Sequence, residues 1–238
     1  MGWKKTLRRQ VLAANQELVT KKLVIYSFGN VSGIDRKQNI VAIKPSGVPY
    51  ESLTEESIVL VDLDNHVVEG NFRPSSDTRT HLELYRAFPG IGGVAHTHSP
   101  CATSWAQACK AIPCYGTTHA DYVNGEIPCT GQLTDEQING DYEHVTGVKI
   151  RETFANRSAS DAPMVLVASH GPFTWGASAR KAVENSVILE YLARMAAQTR
   201  SINPDIQPIQ PALLARHFNR KHGKSATYGQ NQTTVEGQ

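Results

Sequence analysis

The stretch Gly92-Gly93-Val94-Ala95-His96-Thr97-His98-Ser99-Pro100 decides how the rest of the chain is read. Its apolar start predicts a buried strand, and that strand ends in two histidines. Alternate side chains of a strand share a face, so His96 and His98 should project together from its carboxyl end. Ser99 then offers a helix N-cap and Pro100 a first helical position. Two imidazoles held this way suit a metal ion, with further donors drawn from elsewhere in the chain.

Outward from this stretch, Trp3, Leu7, Val11 and Leu18 recur at helical spacing and predict an amphipathic first helix. Leu23–Tyr26, Val41–Lys44 and Ile58–Val61 are short β-rich runs between turn residues and predict strands. Thr80–Phe88 has a helical apolar face, and Met164–Ala168 is a further apolar run that stops at Ser169-His170-Gly171-Pro172. Val183, Val187, Tyr191 and Met195 step by four through the longest helix, which Ser201–Pro204 breaks. A last basic helix is expected over Pro211–His222, with Gly223 just past its end. No repeat, linker or change of composition divides the chain, so residues 1–230 are expected to form one layered α/β domain. Residues 231–238 form a polar tail, expected to be disordered.

The 24 basic and 22 acidic side chains nearly cancel, and no run of five like charges stands out. This gives no field to attract nucleic acid. No apolar run approaches membrane-spanning length and the N-terminus reads as a helix rather than a signal peptide, so a cytoplasmic protein with no membrane partner is expected. Cys101, Cys109, Cys114 and Cys129 contain no C-x-x-C pair and read as free thiols, with Cys101 a packing residue. Gly90–Ala95 satisfies G-x-G-x-x-A, but it follows a helix and opens a strand, the reverse of a dinucleotide site.

For a metal, His96 and His98 need partners. His170 ends an apolar run as they do, and Asp77 stands at a helix entrance where it could supply a carboxylate oxygen or merely cap the helix. Three histidines and a carboxylate suit a catalytic divalent ion, zinc first, with manganese or cobalt as substitutes. Ser27–Asn30, Lys44–Gly47 and Ser75-Ser76 gather amides, hydroxyls and one lysine at turns. Such a set can surround a phosphate, although the same residues are ordinary turn formers. Asp121 and Tyr228 are possible acid/base groups, but a loop aspartate and a near-terminal tyrosine have blander uses. The basic residues Arg216, His217, Arg220, Lys221 and His222 read most simply as a solvated helix face.

Taken together, the segments GNVS at 29–32, IKPSGV at 43–48, PSSDT at 74–78, IGGVAHTHS at 91–99, GTTHADY at 116–122, IPCT at 127–130, HGPFTWG at 170–176 and RKHG at 220–223 resemble the L-ribulose-5-phosphate 4-epimerases, within the class II (zinc-dependent) aldolase/epimerase family. The resemblance runs from about Gln10 to Gln230. It implies a three-layer α/β/α domain around a central mixed, largely antiparallel sheet. It also implies zinc held by Asp77, His96, His98 and His170, with Asp77 alternatively standing beside metal and substrate. Gly29, Asn30, Lys44, Ser46, Gly47, Ser75 and Ser76 would then hold the substrate phosphate. Asp121 and Tyr228 would be the acid/base pair, and His217 and Arg220 would help bind substrate from an intersubunit wall in a homotetramer. The implied reaction exchanges L-ribulose 5-phosphate and D-xylulose 5-phosphate by retro-aldol cleavage and re-addition across C3–C4. Thr227 departs from the family, where a second tyrosine is common, and puts the packing of the tail in question. The alternatives are a sugar-phosphate aldolase of the fuculose or rhamnulose type and, as a different class, a non-catalytic module like the adducin head.

Overall fold

The computed structural model describes residues 2–223 and 226. Tyr228 and the tail at 231–238 lie outside the described residues. Helix α1 (Trp3–Thr20) leads to strands β1 (Asn30–Asp35), β2 (Ile40–Ile43), β3 (Val59–Asp62) and β4 (Val67–Glu69). Helix α2 (Thr78–Ala87), strand β5 (Gly93–His96) and helix α3 (Pro100–Gln107) follow. After the short α4 (Thr117–Ala120) and α5 (Asp135–Asn139) come α6 (Tyr142–Thr153), β6 (Met164–Val167) and β7 (Gly171–Gly176). The long α7 (Ala179–Ile202) and α8 (Pro211–His222) complete the described chain.

The strands form one sheet in the order β4-β3-β2-β1-β5-β7-β6. The resemblance implies a mixed, largely antiparallel sheet, and every ladder between the named strands is antiparallel. Among the described residues, the one parallel bridge joins Cys129, outside the named strands, to Leu166 of β6. Strand alternation sorts the side chains into two cores. Val31, Ala42, Leu60 and Ala95 pack with Leu7, Val11 and Leu18 of α1 and Ala182 and Val183 of α7. Val41, Val61, Val94, Phe173 and Trp175 pack on the other side with Leu82 and Tyr85 of α2 and Ile150 of α6. Helix layers on both faces give the expected three-layer α/β/α arrangement. Each fully buried Leu or Val in these cores contributes about 1.5–3 kcal/mol.

Leu23–Tyr26 is not a strand. Leu23 N–H donates to Leu18 O at 3.0 Å and Lys22 N–H to Val19 O at 2.9 Å, with Lys22 at φ +58°. This is a Schellman cap on α1, in which a left-handed residue turns the chain and the next apolar residue packs back on the helix. Leu23 and Leu18 share one core accordingly. The strand lies further on, in Asn30–Asp35, whose Asn, Ser, Gly and Asp read as turn residues. Buried Asn15 ties α1 to that strand, since its Nδ2 donates to Val31 O at 3.0 Å and its Oδ1 accepts Val31 N–H at 2.9 Å. Likewise Gly171–Gly176 forms β7, although its Gly and Pro suggest only a turn.

Gly93 shows how closely α7 sits on the sheet. A Cβ there would lie 2.3 Å from Ala179 N and 2.4 Å from Ala179 Cα. Because the obstruction is backbone, it cannot rotate away. Gly93→Ala should therefore destabilise the fold by about 1–3 kcal/mol, the usual cost of overpacking, measured by chemical denaturation. A variant as stable as the parent would contradict this packing.

Candidate metal centre and its cavity

His96 is the last residue of β5, and its register partner on β1 is Asn30. On the other side, β7 pairs Phe173 with His96. His98 follows two residues beyond the strand, and His170 comes from the tight β6–β7 turn, just after Ser169 at φ +60°. The ligand nitrogens of these three histidines lie within 4.8 Å of one another. His96 Nε2 and His98 Nε2 are 3.0 Å apart. Two nitrogens bound to one tetrahedral zinc at 2.0–2.1 Å stand about 3.3 Å apart, so the spacing suits a shared ion.

The proton arrangement suits it as well. His96 Nδ1 lies 2.9 Å from Pro172 O, and a carbonyl can only accept, so Nδ1 carries a hydrogen, and in the neutral ring it is Nε2 that offers the lone pair. Phe173 stacks beneath the same ring at 4.2 Å and 17°. Burial, then the neighbouring His96, pushes the pKa of His98 down. Burial and the neighbouring His96 also push His170 down to about 4, against the pull of Asp77. Near neutral pH these two rings are therefore uncharged donors. The donor set fits a divalent ion of the zinc type.

Asp77 precedes α2 and makes no side-chain cap bond, so it is not acting as a helix cap. It also stands outside the group of three converging histidines. Its Oδ2 accepts Asn30 Nδ2 at 2.6 Å. Burial favours the neutral acid, but His96, His81 and that hydrogen bond hold the carboxyl below its ordinary range.

All three histidines open onto one cavity of about 400 Å³. Gly29, Asn30, Lys44, Ser46, Gly47, Ser75, Ser76 and Asp77 line it too, so the residues expected to face metal or phosphate share one space. A bridge between Pro45 and Pro74 and the bond from Ser75 N–H to Lys44 O (3.0 Å) bring the Lys44 and Ser75 loops together. Gly29 sits at φ +74° where a Cβ would lie 2.7 Å from His96 O, so only glycine fits between the loop and the histidine strand. Lys44 is 2% exposed, its Nζ donates to Ser27 O at 3.2 Å, and burial lowers its pKa to about 8.

Other expected residues lie elsewhere. Asp121 caps the end of α4 and is not among the residues lining this cavity. The basic face of α8 is not simply solvated but grips Asp121. Arg220 Nη2 lies 2.9 Å from Oδ2, and His217 Nδ1 lies 3.0 Å from Oδ1. His217 and Arg220 thus meet Asp121 rather than the Lys44–Ser75 cradle within this chain. Burial works to raise the Asp121 pKa, but Arg220, His217 and Lys221 outweigh it and hold the carboxyl low.

Sequence reading missed several residues. Tyr142 and Glu143, at the start of α6, line the cavity, and Tyr142 Oη lies 3.2 Å from His170 Nδ1. No local motif marks them. Glu190 on α7 accepts the N–H groups of Cys101 and Ala102, both at 2.9 Å. It thereby caps α3 in place of Ser99, whose side chain makes no cap bond. All four cysteines are free. No helix among the described residues is long and apolar enough to cross a membrane.

Residues 9–197 match the family model described as class II aldolase and adducin N-terminal domain. The chain belongs to this family. Among solved structures, this class II aldolase-family chain is similar to an L-fuculose 1-phosphate aldolase, with a TM-score of 0.75 and 23% identity over 89% of this chain and 95% of that one. It is also similar to YgbL of Klebsiella pneumoniae, a candidate aldolase/epimerase/decarboxylase, with a TM-score of 0.71 and 21% identity over 91% and 99% of the two chains. The L-fuculose-1-phosphate aldolase of Thermus thermophilus gives a TM-score of 0.65 and 20% identity over 86% and 98%. At these identities the likeness is one of fold.

Two outcomes follow from this geometry. His96→Asn should lose stoichiometric zinc, measured by metal analysis of the purified folded variant, and retention of one zinc per chain would contradict the centre. Asp121 has a depressed folded pKa, so its pairing stabilises above the unfolded value of about 4 and fades as pH falls through the folded value. Wild type should therefore exceed Asp121→Asn in stability at pH 7, with the gap closing below about pH 4. A gap independent of pH would show that the charge of Asp121 does not contribute to stability.

Proposed function

We propose that this protein is a zinc-dependent L-ribulose-5-phosphate 4-epimerase, interconverting L-ribulose 5-phosphate and D-xylulose 5-phosphate. The observation that carries the reading is the single cavity in which three convergent histidines face a lysine, glycine and serine cradle. Such a space suits a small ligand with an oxygen-rich metal-binding end and a phosphate.

The C4 hydrogen of a ketopentose phosphate is not acidic, so inversion at C4 needs the C3–C4 bond to break and re-form. An ion on His96, His98 and His170, with Asp77 beside or on it, supplies Lewis-acid stabilisation of charge developing on substrate oxygens. Lys44 brings a point charge to the phosphate, and Ser46, Gly47, Ser75 and Ser76 bring hydroxyl and amide donors. Gly29 leaves room for close approach, and Asn30 holds Ser75 and Asp77 in place through its amide. Anchoring the phosphate keeps the two-carbon fragment in place while it turns its other face. Asp121 and Tyr228 serve as the acid/base pair, one on each side of C4.

In this reading the pair works on a neighbouring subunit's cavity, in a homotetramer whose intersubunit wall includes His217 and Arg220. The contact between Asp121 of the GTTHADY segment and α8, which carries RKHG, supports treating those two motifs as one functional unit. Manganese or cobalt is expected to replace zinc.

An aldolase that releases its fragments is the second reading, favoured by the structural likeness to L-fuculose 1-phosphate aldolase. A non-catalytic adducin-type module would not need three convergent histidines. Incubation of the zinc-loaded protein with L-ribulose 5-phosphate separates these. D-Xylulose 5-phosphate as the product supports the epimerase, whereas net release of dihydroxyacetone and glycolaldehyde phosphate identifies an aldolase. Tyr228→Phe should keep its zinc and lower epimerase turnover about 10²-fold or more. Full turnover in that variant would remove Tyr228 from the reaction.

A further inference from the structure

The three converging histidines are not held in the same way. His96 is fixed by the protein backbone, through Nδ1 and the Pro172 carbonyl. Among the described residues, the polar contact of His170 Nδ1 is a side chain, the Tyr142 hydroxyl at 3.2 Å. The rings of Tyr142 and His170 lie 6.0 Å apart at 34°, so the phenol meets the imidazole edge rather than covering its face. We infer that Tyr142 is a positioning residue for the metal centre, accepting the Nδ1 hydrogen of His170 so that the Nε2 lone pair is directed at the ion.

This follows from the chemistry of a neutral imidazole, which carries one N–H and one lone pair. His170 sits on a tight turn after the left-handed Ser169, and its ring contacts with His96, His98 and Phe173 do not choose between its two tautomers. A partner on Nδ1 is then what selects the tautomer and the ring orientation. Tyr142 itself is well held. It is the first residue of α6, where Thr146 Oγ1 bonds its carbonyl at 2.8 Å and Thr80 Oγ1 of α2 bonds the carbonyl of Glu143. Helix α6 packs on α2, the helix that follows Asp77. Burial raises the Tyr142 pKa, so the group stays a neutral phenol. Once it accepts from His170, its own O–H hydrogen is available to an oxygen in the cavity that it lines. The sequence offered no sign of this, because Tyr142 and His170 are 28 residues apart and share no motif.

The inference rests on the metal reading, and the test separates the two. Zinc affinity is measured by chelator competition on the full-length protein and on Tyr142→Phe, alongside the melting temperature of each metal-free protein. Phenylalanine keeps the ring and removes only the hydroxyl. The expected result is a zinc Kd weakened about 10–100-fold with little change in metal-free melting. The cobalt-substituted variant should also show an altered visible spectrum. If wild type binds no zinc, the metal centre itself falls, and this inference with it. If wild type binds zinc and the variant binds equally well with the same cobalt spectrum, Tyr142 has no such role. Should the variant fold poorly, nitrogen NMR of the histidine rings in zinc-loaded wild type decides. Hydrogen on Nδ1 of His170 is expected, and hydrogen on its Nε2 would overturn the assignment.

Discussion

Crowding three imidazoles around one point is the constraint on which the rest of this structure depends. The ring centres of His96, His98 and His170 stand 4.8–5.2 Å apart. Two imidazolium cations at about 5 Å would repel by roughly 3 kcal/mol at an effective dielectric of 20. That repulsion favours uncharged rings, in line with the lowered pKa values of His98 and His170. His96 is buried at the end of the central strand β5 and His170 is half-buried, and the Pro172 carbonyl and the Tyr142 hydroxyl lie against their respective Nδ1 atoms. What remains at the centre is a set of lone pairs suited to a cation.

The antiparallel sheet makes that convergence possible. Neighbouring strands β1, β5 and β7 carry Asn30, His96 and Phe173 in one row across the sheet. Chain segments far apart in sequence thus reach the same edge, where the β6–β7 turn adds His170. The sheet supplies the rigid side, and the loops around Lys44 and Ser75 line the rest of the same cavity. A fold of this kind hosts more than one chemistry, so the function must be argued from the cavity rather than from the architecture. Asp121, by contrast, is gripped by α8 away from the cavity of its own chain.

The elements with strong periodicity were legible in the sequence. Helices α1, α2, α7 and α8 and strands β2, β3, β5 and β6 follow from apolar spacing and end signals. Leu23–Tyr26 misled because a Schellman cap and a strand both favour apolar residues, and only the left-handed Lys22 tells them apart. Strands β1 and β7 were hidden by residues that elsewhere make turns. In the site, His96 and His98 were legible from strand alternation, and His170 from its place at the end of an apolar run. The common cavity of Lys44, Ser75 and the histidines followed from no local spacing and was implied only by the family resemblance. Tyr142, Glu143 and the Glu190 cap of α3 had no local signal, because long-range packing alone puts them where they act.

X-ray absorption at the zinc edge of the loaded protein tests the central claim most directly. The account predicts nitrogen and oxygen neighbours at about 2.0–2.1 Å, with outer scattering from three imidazole rings. Sulfur neighbours at about 2.3 Å, or scattering from a single ring, would contradict it.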